Sequence, residues 1–266
     1  MTVRPAAQTP SIDLTGDVVM VTGATGDIGI EYVCALVAAG ADVVATDIAS
    51  TASAGQDLVL RANEIGPGKA VFSPVDITSD DEIATAVALA ADRFGGLDAV
   101  VNNAAIYRTL GPKRPLTELS NDDWDLVLRV NVRGTWQVIK AAIPAFVERG
   151  GGRVVNISST VARAGVPGFA HYVASKAAVD GLTRAAAKEL GAQNIRVNGV
   201  APGLVSDSAT ESINPDGYAA RSAQTRSLAR EMQPSDLVGA VLWLASRASG
   251  FVTGQTVLVD GGQVFA

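Results

Sequence analysis

Among 266 residues there is one cysteine, Cys34, and one histidine, His171. A single cysteine excludes a disulfide framework and any zinc site built from several thiolates. A single histidine excludes metal centres made of two or three imidazoles, so zinc-dependent alcohol oxidation and metallohydrolysis fall away and no metal is expected. Charge is scarce too, at 18% of residues against about 25% in an average globular chain. The 21 basic and 27 acidic residues leave a net charge of −6, the wrong sign for nucleic acid or an anionic membrane surface. No run of about 18 apolar residues occurs, so no membrane span is expected. The opening MTVRPAAQTPS lacks the apolar stretch of a signal peptide, and residues 1–13 read as a flexible tail. The expected location is the cytoplasm. The chemistry left to this chain uses hydroxyls, amines, carboxylates, amides and a bound cofactor.

What is present in quantity is Ala, Val and Gly, the composition of a sheet buried on both faces. Strand-like runs at 17–22, 42–46, 70–75, 97–101, 153–157, 195–200 and 256–259 alternate with helix-length stretches. This alternation predicts an α/β fold, a doubly wound, mostly parallel seven-stranded sheet flanked by helices, in a single domain over 14–266. Ser79 with Glu82 and Ser120 with Asp123 mark two helix starts. Segments 103–119 and 202–233 exceed the usual connection length, which points to function or mobility. Ligands of such sheets bind beyond the carboxyl ends of the strands.

The first strand runs into TGATGDIG, residues 22–29. Glycines at 23, 26 and 29 permit a tight turn, close approach of a pyrophosphate and close helix packing, and the helix start offers free N–H groups. Asp47, eighteen residues after Gly29, stands where a carboxylate would accept from the adenosine ribose hydroxyls; its other reading is a cap or loop start. No Lys or Arg lies in 22–29 or 47–55 to neutralise a 2′-phosphate, which favours NAD over NADP. Asp76 is either within reach of an adenine amino group or a turn residue for the next helix. Asn102 and Asn103 are placed to bond backbone at the strand end and shape the cofactor floor.

Tyr172 and Lys176, in HYVASK, are four apart and share a helix face. An ammonium near a phenol favours the phenolate and makes it a usable base. Ser158 and Ser159 end the fifth strand on the same rim. Taken in order, TGATGDIG, Asp47, NNAA, Asn131 in VNVRG, VNISS, YVASK, APG and VTGQTVLVDGG resemble the short-chain dehydrogenase/reductase family over roughly residues 14–262. The resemblance implies Tyr172 as the proton-transferring acid/base and Ser159 as the hydroxyl orienting the substrate oxygen. It implies that Lys176 tunes Tyr172 and holds the nicotinamide ribose, and that Asn131 holds a water linking Lys176 to solvent. The cofactor rim is expected from Gly23, Thr25, Gly26, Asp27, Ile28 and Gly29, then Asp47, Ile48, Asp76 and Ile77. Asn103, Ala104, Tyr172, Lys176, Pro202, Gly203 and Val205 complete it. Two positions depart from the family pattern. Asp27 stands where the short branch usually has its second glycine, and Asp207 where a Thr usually follows the Pro-Gly turn, with Ser206 or Ser208 as substitutes.

The remaining conspicuous residues have plainer readings: Cys34 as core, His171 as a surface or helix-start residue, Trp124, Trp136 and Trp243 as packing or subunit contacts. Arg108, Lys113 and Arg114 are read as solvated, with an acidic substrate as the alternative. The substrate pocket is expected from Ile106, Tyr107, Val161, Arg163, Phe169 and Leu204, under a lid at about 202–233 with little to pin it down. Arg163 is expected to face solvent. The leading function is hydride transfer between NAD(H) and a small hydrophobic secondary alcohol or ketone, aryl or cyclic; the resemblance implies a homotetramer. The alternatives are a 3-oxoacyl-thioester reductase and a non-catalytic nicotinamide-binding sensor.

Overall fold

The computed structural model describes residues 12–265. Most of the expected tail lies outside them, and Ile12 already packs on the core. Seven strands form one sheet: β1 Val18–Thr22, β2 Asp42–Asp47, β3 Ala70–Pro74, β4 Ala99–Asn102, β5 Gly152–Ile157, β6 Ile195–Pro202 and β7 Thr256–Val259. Their order is β3-β2-β1-β4-β5-β6-β7, and every pairing is parallel. Within the strands the side-chain period of two sends alternate residues to opposite faces. In β1, Val19 and Val21 enter one core while Val18 and Met20 enter the other.

The described residues form ten α-helices: α1 Asp27–Ala38, α2 Ala52–Ala62, α3 Asp80–Phe94, α4 Asn121–Leu128, α5 Thr135–Glu148, α6 Val161–Ala164, α7 Ala170–Leu190, α8 Ser208–Ile213, α9 Tyr218–Ala223 and α10 Val238–Ala245. Tyr32 and Leu36 of α1, Leu58 of α2 and Leu244 of α10 cover one face. Ile83 of α3, Phe146 of α5 and Leu190 of α7 cover the other. Both signposted starts are capped. Ser79 Oγ accepts from Glu82 N at 3.3 Å, and Ser120 forms a reciprocal box with Asp123. Between α4 and α5 the chain makes a π-helical turn, Arg129–Gly134; such insertions concentrate at functional sites.

The connection from β3 carries the chain back across the sheet to β4, so β1 and β4 are neighbours whose connections leave in opposite directions. A crevice opens there beyond the strand ends. The glycine turn at 22–29 and the asparagine pair at 102–103 flank it.

Candidate active site

The turn between β1 and α1 is built to bring backbone close. Gly23 has φ +64°, and a Cβ on it would lie 2.8 Å from Ala104 Cα. A Cβ on Gly29 would meet Gly23 O, so α1 packs onto the turn only with glycine there. Asn103 secures the turn from β4, its Nδ2 donating to Gly23 O at 2.9 Å and its N–H to Thr22 Oγ1 at 3.1 Å. Gly26, the residue before α1, supplies no side-chain cap, which leaves first-turn N–H groups for an anion. These features fit a dinucleotide pyrophosphate.

At the end of β2, Asp47 Oδ2 accepts from Thr25 N (3.0 Å) and Thr25 Oγ1 (2.6 Å), and Oδ1 accepts from Ile48 N at 2.8 Å. The carboxylate thereby braces the turn, with Ile48 exposed beside it. Asp76 takes its turn role: Oδ1 accepts from Thr78 N and Oγ1, each at 2.8 Å. Ile77 is buried in the core under Gly134, and Asn102 donates sideways to Asn156 Oδ1 rather than to backbone.

The chemical groups converge at the ends of β5 and β6. Ser159 Oγ has only long contacts, 3.5 Å to Pro202 O and 3.4 Å from Val161 N, which leaves its hydrogen-bonding capacity for a substrate oxygen. Tyr172 on α7 lies near Ser159, and Lys176 Nζ sits 5.6 Å from its ring centroid. Lys176 is buried and donates to Ile157 O at 2.8 Å. Burial pushes its pKa down to about 8, with Asp180 opposing. Burial also raises the Tyr172 phenol above its usual value, with Tyr107 and Asp207 adding to the rise and Ser159 pulling back. The expected lowering by Lys176 is absent in the protein alone, where desolvation disfavours the charged form of both groups.

Asn131 lies in the π-helical turn and is buried. Its Oδ1 accepts from Ile106 N at 2.7 Å, and its Nδ2 donates to Ser175 Oγ at 3.1 Å and Ile106 O at 3.3 Å. Ser175 Oγ in turn donates to Tyr172 O at 2.8 Å. The amide therefore ties the segment after β4 to α7.

A family profile described as enoyl-(acyl carrier protein) reductase matches residues 23–263. The chain belongs to the short-chain dehydrogenase/reductase family. It is 36% identical over 251 residues to a 3-oxoacyl-[acyl-carrier-protein] reductase of Thermotoga maritima, covering 94% of this chain and 99% of that protein. It is 37% identical over 253 residues to a 2,5-dichloro-2,5-cyclohexadiene-1,4-diol dehydrogenase of Sphingobium indicum, covering 94% and 98%. A short-chain type dehydrogenase/reductase from Mycobacterium ulcerans superposes with a TM-score of 0.88 at 34% identity, over 94% of this chain and 90% of that one. The protein is an oxidoreductase of a family that uses nicotinamide cofactors.

In this short-chain dehydrogenase/reductase a third apolar cluster walls the space around Tyr172. Leu110, Val127 and Phe169 form it, with Ile106, Tyr107 and Ile213 packed against them. The Tyr107 ring lies 5.3 Å from that of Tyr172 and 6.5 Å from that of Phe169. Val161 opens α6 beside Ser159, and Arg163 faces solvent. The three cations of the β4–α4 segment are engaged within the chain. Arg108 Nη2 donates to Ser208 Oγ at 2.6 Å, Lys113 Nζ to Tyr218 OH at 2.7 Å, and Arg114 pairs with Asp123 at 3.0 Å.

The segment after β6 is more firmly held than its composition suggests. Ser206 N donates to Met232 O at 2.7 Å, and buried Arg226 donates to Leu204 O at 2.6 Å and Arg230 O at 3.1 Å. Between these pinned ends lie α8 and α9. Asp207, the family's odd residue, caps α8 by accepting from Thr210 N at 2.7 Å, a signal readable in D-S-A-T. His171 stands at the start of α7 and is buried, not on the surface, with Nδ1 unpartnered. No described helix is long and apolar enough to cross a membrane, and no cluster of metal-binding side chains occurs among the described residues.

Proposed function

We propose that the protein transfers hydride between NAD(H) and a compact, uncharged secondary alcohol or its ketone, aryl or cyclic. The observation carrying this reading is the apolar wall at Tyr172, with Tyr107 and Phe169 in it, together with the engagement of Arg108, Lys113 and Arg114 inside the chain. Small-ligand sites of this kind are apolar with a few placed polar groups. The bound nicotinamide supplies or accepts the hydride. The raised pKa of Tyr172 keeps it a phenol at neutral pH, so it donates its proton to the carbonyl oxygen in reduction and takes it back in oxidation. Ser159 orients the same oxygen, and the Lys176 ammonium lies against the Tyr172 ring.

Asp47, at the end of β2 with no cation in 47–55, supports NAD over NADP. The expected preference in kcat/KM is at least about tenfold, or ~1.4 kcal/mol. The double variant Asp47→Ser, Ile48→Arg should erode it. The relative from Thermotoga keeps a 3-oxoacyl-thioester reductase as the rival. The test is a panel of neutral aryl and cyclic alcohols and ketones, hydroxy acids, phosphorylated alcohols and a 3-oxoacyl thioester, each run with both cofactors. Preferred turnover of the thioester or of the anionic set, or equal use of both cofactors, would overturn the reading.

A further inference from the structure

The carboxylate of Asp27 does not point idly from the first turn of α1. Its Oδ2 accepts from both the backbone N–H (2.7 Å) and the hydroxyl of Ser208, the first residue of α8, which lies 181 residues away in the chain. Ser208 Oγ also accepts from Arg108 Nη2 at 2.6 Å. The bridge therefore joins three separate segments: the glycine turn, the loop after β4, and the helix that caps the pocket. The hydrogen bonds from Ser208 and the nearby Arg108 guanidinium hold Asp27 below the usual carboxylate range, so the anchor is charged at neutral pH. Charge-assisted bonds of this kind are about twice as strong as neutral ones. A glycine at 27, the family's usual residue by resemblance, would have no side chain with which to hold α8.

We propose that Asp27, with Ser208 and Arg108, is the positioning set of the lid: it latches α8 onto the cofactor turn and thereby sets how fast a dinucleotide enters and leaves. The proposal rests on the reading that the turn holds a dinucleotide. The segment is pinned at its ends by the Ser206–Met232 and Arg226–Leu204 bonds, so 207–225 moves as a flap about those ends. On its other side the flap is tied by Lys113 to Tyr218 at 2.7 Å. Asp27 is the tie that crosses the mouth of the cofactor crevice. A latch that must open for both entry and exit slows both rates together and changes the equilibrium constant less than either.

Two measurements test this. Stopped-flow NADH binding to the full chain should show association and dissociation both faster by about tenfold or more in Asp27→Ala, with Kd changed less than either rate. Ser208→Ala should give a smaller effect, because its N–H still donates, and adding it to Asp27→Ala should change little more. Asp27→Asn, which keeps an acceptor without the charge, should fall between. In the absence of any cofactor, tryptic cleavage after exposed Arg221 in α9 should be several-fold faster in Asp27→Ala. A change in only one rate, or wild-type tryptic and dissociation rates in Asp27→Ala, would overturn the latch. Failure of the wild-type protein to bind either NADH or NADPH would overturn the dinucleotide reading instead, and the cofactor-free tryptic rates would still judge the latch.

Discussion

A buried ammonium and a buried phenol in contact put opposite demands on one small volume, and Lys176 shows the cost. Folded Lys176 gives up its proton near pH 8, whereas in the unfolded chain it keeps it to about pH 10.4. Below pH 8 both states are protonated, and burying the charge disfavours folding by on the order of 3 kcal/mol. Between pH 8 and about 10.4 the unfolded state binds the extra proton, so this cost fades and stability rises with pH. Lys176→Met should therefore gain on the order of 2 kcal/mol at pH 7 in urea melts and lose that gain toward pH 10, while turnover collapses. An equal gain at every pH would show that charge burial is not the cause. In the intact enzyme, kcat/KM for ketone reduction should fall above about pH 8 as the ammonium is lost. Tyr172→Phe removes only the proton-transfer group, so kcat should drop by several orders of magnitude with NADH binding retained; substantial residual turnover would refute the assignment. Tyr172, Lys176, Ser159 and Asp47 were legible because their spacing against strand ends carries chemical meaning. The partners of Asp27 and Asn131 were not: Ser208 and Ile106 are distant in sequence, and only the packed sheet brings them near.

At the scale of elements, the ends of the strands divide the labour. Function gathers at the carboxyl ends, while the amino ends of β1, β4 and β5 are bolted together by charge. Arg153 donates to both oxygens of Asp17 at 2.9 and 3.1 Å, and Arg149 to both oxygens of Asp98 at 3.0 and 3.1 Å. Asp98 also accepts from Val18 N at 2.9 Å. Arg153 and Asp17 are almost fully buried, so Arg153→Ala would leave a buried carboxylate with only the exposed Arg247 at 3.7 Å and should cost about 3 kcal/mol. The exposed pair Lys140–Asp80 should be worth less than about 1 kcal/mol. Denaturant melts of both variants should show that order, with kcat per folded molecule unchanged in each; a mild Arg153→Ala would mean the site refills with water. Every strand was readable to within two residues, because a parallel strand buried on both faces is written as an unbroken apolar run. The π-helical turn at Arg129–Gly134 was not, since one extra residue in a helix leaves no mark in composition or period. Nor was the bracing of 202–233, where a buried arginine and a few backbone bonds do what apolar periodicity does elsewhere.

For the whole molecule, two groups of exposed apolar side chains stand beside scattered ones such as Ile48, Leu60, Ile65 and Leu116. Leu126, Trp136 and Val147 are exposed on α4 and α5, and Phe251, Leu228 and Phe265 are exposed on the segments around β7. The first group rides on helices covering one face of the sheet, and the second belongs to the segments around its last strand. A single self-complementary patch closes a dimer; two independent patches, each pairing about its own two-fold axis, close a tetramer of dihedral symmetry. The homotetramer implied by the resemblance read from the sequence would have to cover both groups. Light scattering at micromolar concentration should give a mass near four chains. Trp136→Glu should open one interface and Phe251→Glu the other, each leaving dimers, and the two together should leave monomers. A monomeric wild-type mass would count against the assembly. A tetramer unmoved by either substitution would place its contacts on other surfaces, because a buried uncompensated carboxylate at the centre of an apolar contact is not tolerated.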